Sequence, residues 1–406
     1  MPGLELPNEL ISIIIDYFHV EKPTLKICTL VCRDWIAPSR FHLLHSICVH
    51  ERDIDKFISL CTSPFSTLHH ARTFELEGSP DQRYHNNPGL NKLLTWRSPD
   101  GQRTIATVLP WLENLSLRYL SFWIFSNGVK WGLARFRSLR KLSLKNVIFV
   151  TRDQLSTLLS LLPRLEVLSL ADIEVWYEGA RDPAINTLIP KLHTIKLKNT
   201  PRGILDLLIP CRSLRVFHLC VLSFSERAFT CGEEVGRLLA SAGPSLKEFC
   251  AHAQKSKLWS DDDHTSIDLR SIDLTKNTCL RRISLHVMYG LYLPFLRQLV
   301  DAASLSASFV PTLQSLEVTY APRLSTNWET FDILLQLPYF SALSELKLYM
   351  ADDASVVSSM ENTGEGSEAH TILNRETEEF AGRLPRCRAR GILRPVEWYA
   401  HRHTHF

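Results

Sequence analysis

The chain has no C-x-x-C pair among its 10 cysteines, only 16 glycines in 406 residues, and no apolar run long enough to span a bilayer. The longest candidate, Ile11 to Ile15, is broken by Ser12 and stopped by Asp16. A spanning helix needs about 18–20 apolar residues, so no membrane partner is expected. Charge of one sign is lacking too. Lys and Arg number 46 against 43 Asp and Glu, a net of +3, so the global basic footprint of a nucleic-acid binder is missing. Glu5 and Glu9 stand where a secretory leader would carry basic and apolar residues. The expectation is a cytoplasmic or nuclear protein with reduced, mostly buried thiols. The signatures of catalysis are missing as well: no P-loop, no dinucleotide fingerprint, no G-x-S-x-G elbow and no H-E-x-x-H. No catalytic residue, cofactor or metal ligand is therefore assigned. Cys28 and Cys32 could share a helical face, but without a paired His or Cys at zinc spacing they read as core.

What the chain does have is leucine, 64 in all, of which 61 precede residue 351. They recur as L-x-x-L-x-L, with other large apolar residues substituting. Clear members are Leu139/Leu142/Leu144, Leu165/Leu168/Leu170, Leu192/Ile195/Leu197, Leu214/Phe217/Leu219, Leu280/Ile283/Leu285, Leu313/Leu316/Val318 and Leu343/Leu346/Leu348. Weaker members are Leu44/Ile47/Val49, Ala71/Phe74/Leu76, Leu112/Leu115/Leu117 and Leu246/Phe249/Ala251. Successive first anchors lie 22 to 41 residues apart, the leucine-rich-repeat scale with insertions. Alternation of the last two anchors predicts a short strand. Thr151-Arg152-Asp153-Gln154 and Thr326-Asn327-Trp328-Glu329 read as capping boxes that start helices. Pro163, Pro190, Pro210 and Pro338 stop the apolar segments before the next anchor. The predicted fold is α/β: a solenoid of about eleven units over 44–350, with strands on its concave face. The Asn or Cys that such repeats carry three residues past the last leucine is absent. Val147, Ile173, Thr200 and Ala321 stand there.

The first 43 residues form a separate, all-helical module. Pro7 suits the first helical position, and Leu10, Ile11, Ile14, Ile15 and Phe18 make one wide apolar face. Pro23 starts a second segment with Leu25, Cys28, Cys32 and Trp35. So short a module cannot bury all this apolar surface within itself, and part is left over for docking.

This segment resembles an F-box. The likeness rests on Leu6-Pro7, Glu9-Leu10, Ile14, Phe18 and Val31-Cys32-Arg33-Asp34-Trp35, and it covers residues 4–49. Fungal F-box proteins often continue, as here, into irregular leucine-rich repeats. The resemblance implies a non-catalytic substrate-recognition subunit of an Skp–cullin–F-box ubiquitin ligase. It would dock on the Skp adaptor, and through it on a cullin, by Leu6, Pro7, Leu10, Ile14, Leu25, Val31, Cys32 and Trp35. A leucine-rich-repeat scaffold without ligase function and a cysteine-dependent enzyme are the competing classes.

A protein substrate would lie on the outward strand residues Arg118, Lys141, Lys145, Lys196, Lys198, His218, Arg282 and His286, a basic stripe suited to an acidic or phosphorylated segment. Acidic Glu75, Glu77 and Glu317 flank it. Insertions near 77–102 and 254–270 read as surface loops. Residues 351–382 read as a polar mobile linker. Residues 383–406 read as a basic segment, a last strand or an import-like patch, with a tail carrying His401, His403 and His405.

Overall fold

The computed structural model describes residues 6–63, 67–82, 88–122, 126–177, 189–201, 203–222, 232–254, 269–287, 292–304, 310–320, 327–350 and 366–398. Two compact units are present, Met1–Ile189 and Pro190–Phe406.

The first unit opens on three helices, α1 (Asn8–Tyr17), α2 (Lys22–Cys28) and α3 (Arg33–His45). Pro7 is the N-cap of α1, not its first helical residue. Its extended ψ ends the preceding chain, and its carbonyl accepts the N–H groups of Leu10 and Ile11. Ile11, Ile15, Leu25 and Cys28 bury one another, with Phe18, Trp35 and Leu43 packed around them. The spacing of these residues, four apart on α1 and three apart on α2, is what brings the two faces together.

Helix α3 runs directly into β1 (Ser46–His50). There follow α4 (Ile54–Thr62), β2 (Thr73–Glu77), α5 (Pro88–Thr95), α6 (Ile105–Val108), β3 (Asn114–Arg118), α7 (Asn127–Ala134), β4 (Lys141–Lys145), β5 (Ile148–Thr151), α8 (Arg152–Ser160), β6 (Val167–Ala171) and β7 (Glu174–Tyr177). Strands β1, β2, β3, β4 and β6 are parallel neighbours in that order. The anchors align rung by rung: Ile47, Phe74, Leu115, Leu142 and Leu168 form one row, Val49, Leu76, Leu117, Leu144 and Leu170 the next. Each row stacks identical positions of successive units, so the buried face is continuous within the unit.

Past β3, β4 and β6 the chain turns through a left-handed residue. Tyr119, Asn146 and Asp172 all have positive φ, each two residues beyond the last anchor. Asn and Asp tolerate this region better than most side chains. The turn then drives Leu120, Val147 and Ile173 into the core. The missing polar ladder is replaced by backbone pairing. Ile148 N–H donates to the Leu120 carbonyl, Phe122 N–H to Ile148, and Glu174 N–H to Val147. Strands β5 and β7 pair in parallel as a second small sheet. The sequence pattern did not reveal that sheet.

Two local readings need correction. Helix α8 begins after Thr151 as expected, but the Thr151 side chain makes no capping bond. Gln154 instead accepts the N–H of Val150 at 2.9 Å. The 77–102 insertion is not merely a surface loop. It contains α5, whose Leu90, Leu93 and Leu94 are buried at helical spacing. Gly132 of α7 makes this packing close: a Cβ there would lie 2.3 Å from the Leu94 carbonyl oxygen.

The second unit contains β8 (Thr194–Lys198), β9 (Val216–Leu222), α9 (Gly232–Ala242), β10 (Glu248–Gln254), β11 (Arg282–Val287), α10 (Tyr292–Ser304), β12 (Ser315–Tyr320), α11 (Trp328–Leu334), β13 (Glu345–Met350), α12 (Gly366–Arg383), α13 (Pro385–Ala389) and β14 (Glu397–Trp398). The strands again pair in parallel, in chain order. Ile195, Phe217, Phe249, Ile283, Leu316 and Leu346 form one row. Asn199 repeats the left-handed turn. The cap of α11 is Asn327, whose side chain accepts the Thr330 N–H at 2.9 Å; Thr326, the cap read from sequence, lies outside the described residues.

The linker expected over 351–382 is instead helical from Gly366 onward, as α12. Its buried aromatic anchor is Phe380, and Glu376 accepts the Tyr320 hydroxyl at 3.1 Å. Phe380 is buried edge-on against Tyr320 and Trp328, at 4.4 and 4.7 Å between ring centroids. The basic C-terminal segment is folded too. Leu346 N–H donates to the Ile392 carbonyl, Arg394 N–H returns to Leu346, and β14 lies beside β13. Asp261-Asp262-Asp263-His264, the stretch 351–365 and the three tail histidines lie outside the described residues.

Candidate functional site

The three N-terminal helices leave an apolar surface uncovered. Leu10, Ile13 and Tyr17 recur at spacings of three and four along α1, on a stripe beside the buried Ile11 and Ile15. Leu6 precedes them and is half exposed. Ile27 at the end of α2, with Leu30 and Val31 in the following turn, is also exposed, Leu30 to 84%. Isolated exposed leucines need no explanation, but eight large apolar side chains from Leu6 to Val31 on so small a module do.

The residues carried over from the F-box likeness divide on this geometry. Leu6, Pro7, Leu10, Val31 and Cys32 are exposed, and Ile14 is half-buried. Leu25 is fully buried in the module's own core, so it cannot touch a partner. Trp35 is half-buried against the same cluster. Ile13, Tyr17, Ile27 and Leu30 are additions that sequence reasoning missed. For Ile13 and Tyr17 the signal was their helical spacing from Leu10 on α1, while Ile27 and Leu30 lie at the end of α2 and in the turn after it.

The outward strand residues present a mixed face rather than a basic one. In the first unit Arg118 is ion-paired to Glu75 at 2.7 Å, while Lys141 is exposed and Lys145 half-buried. In the second, Lys196, Lys198 and His218 are half-buried, and Arg282 lies 3.8 Å from Glu248. Lys347 sits between Glu317 and Glu345, with Arg394 also on Glu345. Neighbouring parallel strands in register place these opposite charges side by side. His286 departs from the expected exposure. It is buried, within 2.7 Å of the Thr319 hydroxyl, with the His252 and Tyr349 rings beside it. Burial, followed by Glu317, Glu397 and Glu345, pushes the Tyr349 hydroxyl up to about 12.

A separate cluster joins β1 to β2. Cys48 and His50 alternate on β1, and Glu77 is the register partner of His50. The ligand atoms of all three lie within 4.8 Å of one another, and His50 Nδ1 is 3.2 Å from Glu77 Oε2. Burial, then Glu75 and Glu77, raises the Cys48 thiol. The reading of the sequence assigned no metal ligands and missed this set. A C-x-H pair on a strand, with Glu one repeat later, was the available signal.

No family model matches the chain, and no curated protein sequence matches it. Among solved structures, it is similar to a leucine-rich-repeat protein of Leptospira interrogans, at 12% identity and a TM-score of 0.21, covering 72% of this chain and 91% of that one. The class is defined by the chain's own register: an α/β repeat protein of parallel strands whose apolar anchors stack in rows. No described helix is long and apolar enough to cross a membrane.

Proposed function

We propose that this chain is a non-catalytic recognition adaptor. Its three-helix module docks on an Skp-type adaptor of a cullin ubiquitin ligase, and its strand faces hold a protein substrate. The observation that carries this reading is the uncovered apolar surface of α1 and the α2–α3 turn, coinciding with the F-box-like positions Leu6, Pro7, Leu10 and Val31. Burial of one large apolar side chain in a partner contributes about 1.5–3 kcal/mol before the costs of association. Several such side chains suffice for a stable dock. The mechanism is proximity: a tethered substrate meets the ubiquitin-loaded enzyme at high effective concentration, with no side-chain chemistry from this chain.

The test is co-purification of the full chain with an Skp adaptor. Binding is expected for the wild type and lost in the Leu6→Ala, Pro7→Ala double variant. Binding retained in that variant overturns the docking face. A wild-type chain that binds no Skp adaptor leaves the scaffold reading in its place.

A further inference from the structure

The Cys48–His50–Glu77 cluster is unused by the adaptor reading, and it has the chemistry of a cation site. Its donors are a thiol, an imidazole and a carboxylate, three types that zinc accepts together. The backbone positions them. Period-two alternation puts Cys48 and His50 on the same side of β1, and parallel register places Glu77 directly across from His50. Nearby Glu75 is occupied by Arg118 at 2.7 Å, which leaves Glu77 to complete the set. A tetrahedral ion with bonds of about 2.0–2.3 Å holds its donors roughly 3.3–3.8 Å apart. The His50–Glu77 pair at 3.2 Å and an outer limit of 4.8 Å for the three donors are within one side-chain adjustment of that geometry. Carboxylates crowded around a thiol disfavour its ionisation, and a bound dication reverses that penalty.

We propose that Cys48, His50 and Glu77 bind one Zn2+-class divalent cation that ties β1 to β2. Binding converts the Cys48 thiol to a thiolate, with its proton released to solvent. His50 and Glu77 also line a cavity of about 810 Å³ with Glu51, Arg52, Asp55 and Lys92, so the fourth coordination position is open to water from that side. Because α3 runs into β1 without a break, the ion would also anchor the helical module to the first two rungs of the sheet. The site is independent of the docking reading.

The experiment uses the full chain, stripped with chelator and titrated with Co2+ and then Zn2+. Expected are one equivalent of Co2+ with a thiolate-to-cobalt absorption band and tetrahedral ligand-field bands, displaced by Zn2+, and a rise in Tm at saturating Zn2+. Cys48→Ser is expected to abolish the thiolate band, and His50→Ala and Glu77→Gln to weaken binding about tenfold or more. Replacing His401, His403 and His405 by Ala, or exposed Cys279 by Ser, is expected to leave metal binding unchanged. All the substituted side chains on β1 are exposed, and circular dichroism of each variant checks that the fold is retained. The proposal is overturned if the wild type shows no thiolate band, or if binding survives in Cys48→Ser and disappears with the tail histidines, an adventitious ion only.

Discussion

The carboxylate of Asp332 accepts the backbone N–H of Cys387, Oδ1 to N at 2.9 Å, while its second oxygen takes the N–H of Arg386 at 3.0 Å. A side chain on α11 thus caps α13, 55 residues later in the chain. Arg390 completes the clasp from the other end of α13, donating to the carbonyls of Leu335 and Phe340. Together they fasten the C-terminal segment to the last repeats of the second unit.

Asp332→Ala strands two N–H groups at the start of α13, that of buried Cys387 and that of exposed Arg386. The expected loss is about 2–4 kcal/mol, since a buried hydrogen bond to a charged acceptor contributes about 1.5–3 and the part-buried bond to Arg386 contributes less. Asp332→Asn keeps one acceptor and should lose less. Urea unfolding of both variants measures the difference, and an unchanged midpoint in Asp332→Ala would remove the clasp from the account.

Leu10 and Leu25 are predicted to separate docking from stability. Leu25 is fully buried, so Leu25→Ala should cost about 2–4 kcal/mol through lost contacts and a residual cavity. Leu10 is 46% exposed, so Leu10→Ala should stay within about 0.5 kcal/mol of the wild type. Partner binding should respond in the opposite order, weakened by Leu10→Ala in a chain that melts normally. Thermal melts paired with pull-downs read both.

The repeating strands were legible because their code is short-range. The last two anchors of each triplet, from Ile47/Val49 to Leu346/Leu348, lie in a strand, and period-two alternation does not depend on what lies between units. The second sheet escaped because its pairing is backbone to backbone, set by left-handed turns at Asn146 and Asp172 rather than by a side-chain pattern. Helix α12 escaped because its aromatic anchor Phe380 stands amid polar composition. At the helical module, periodicity found the apolar residues but not their direction. Leu25 and Leu10 look alike in sequence, and only the packing of α2 on α1 turns one inward. The Cys48 cluster needed strand register, which no single segment contains.

Alkaline pH is predicted to destabilise the fold. Burial pushes the thiols of Cys61 and Cys211 up to about 12 and about 11. Unfolded, they ionise near about 8.5, so above that pH the unfolded chain binds fewer protons than the folded one. Their contribution is fully present below about 8.5 and declines as pH rises towards 11–12. Urea midpoints measured from pH 8 to pH 11 should fall steadily. Alkylation at pH 8 should modify exposed Cys32 and Cys279 while Cys61 and Cys211 react only on unfolding.

Gly132→Ala should destabilise despite the better helix propensity of alanine, worth about 1 kcal/mol. The new methyl would press on the Leu94 carbonyl at 2.3 Å, and forced separation of α5 and α7 should cost about 1–3 kcal/mol more than propensity returns. A Tm lower than wild type is the expected result, and a higher one would show that α7 can shift without loss.

The short closing strand beside β13 also bears on how these molecules behave when crowded. A stack of parallel strands has no natural end, and an open final strand would invite the same strand of another molecule to continue it. Here the outer rung consists of residues 392–398, only two of which form regular strand, and Pro395 within it has no N–H to offer. Residues 392–398 thus cover the outer edge of β13, and removing them is expected to leave the Leu346 and Tyr349 rungs of that strand open to pairing with another chain.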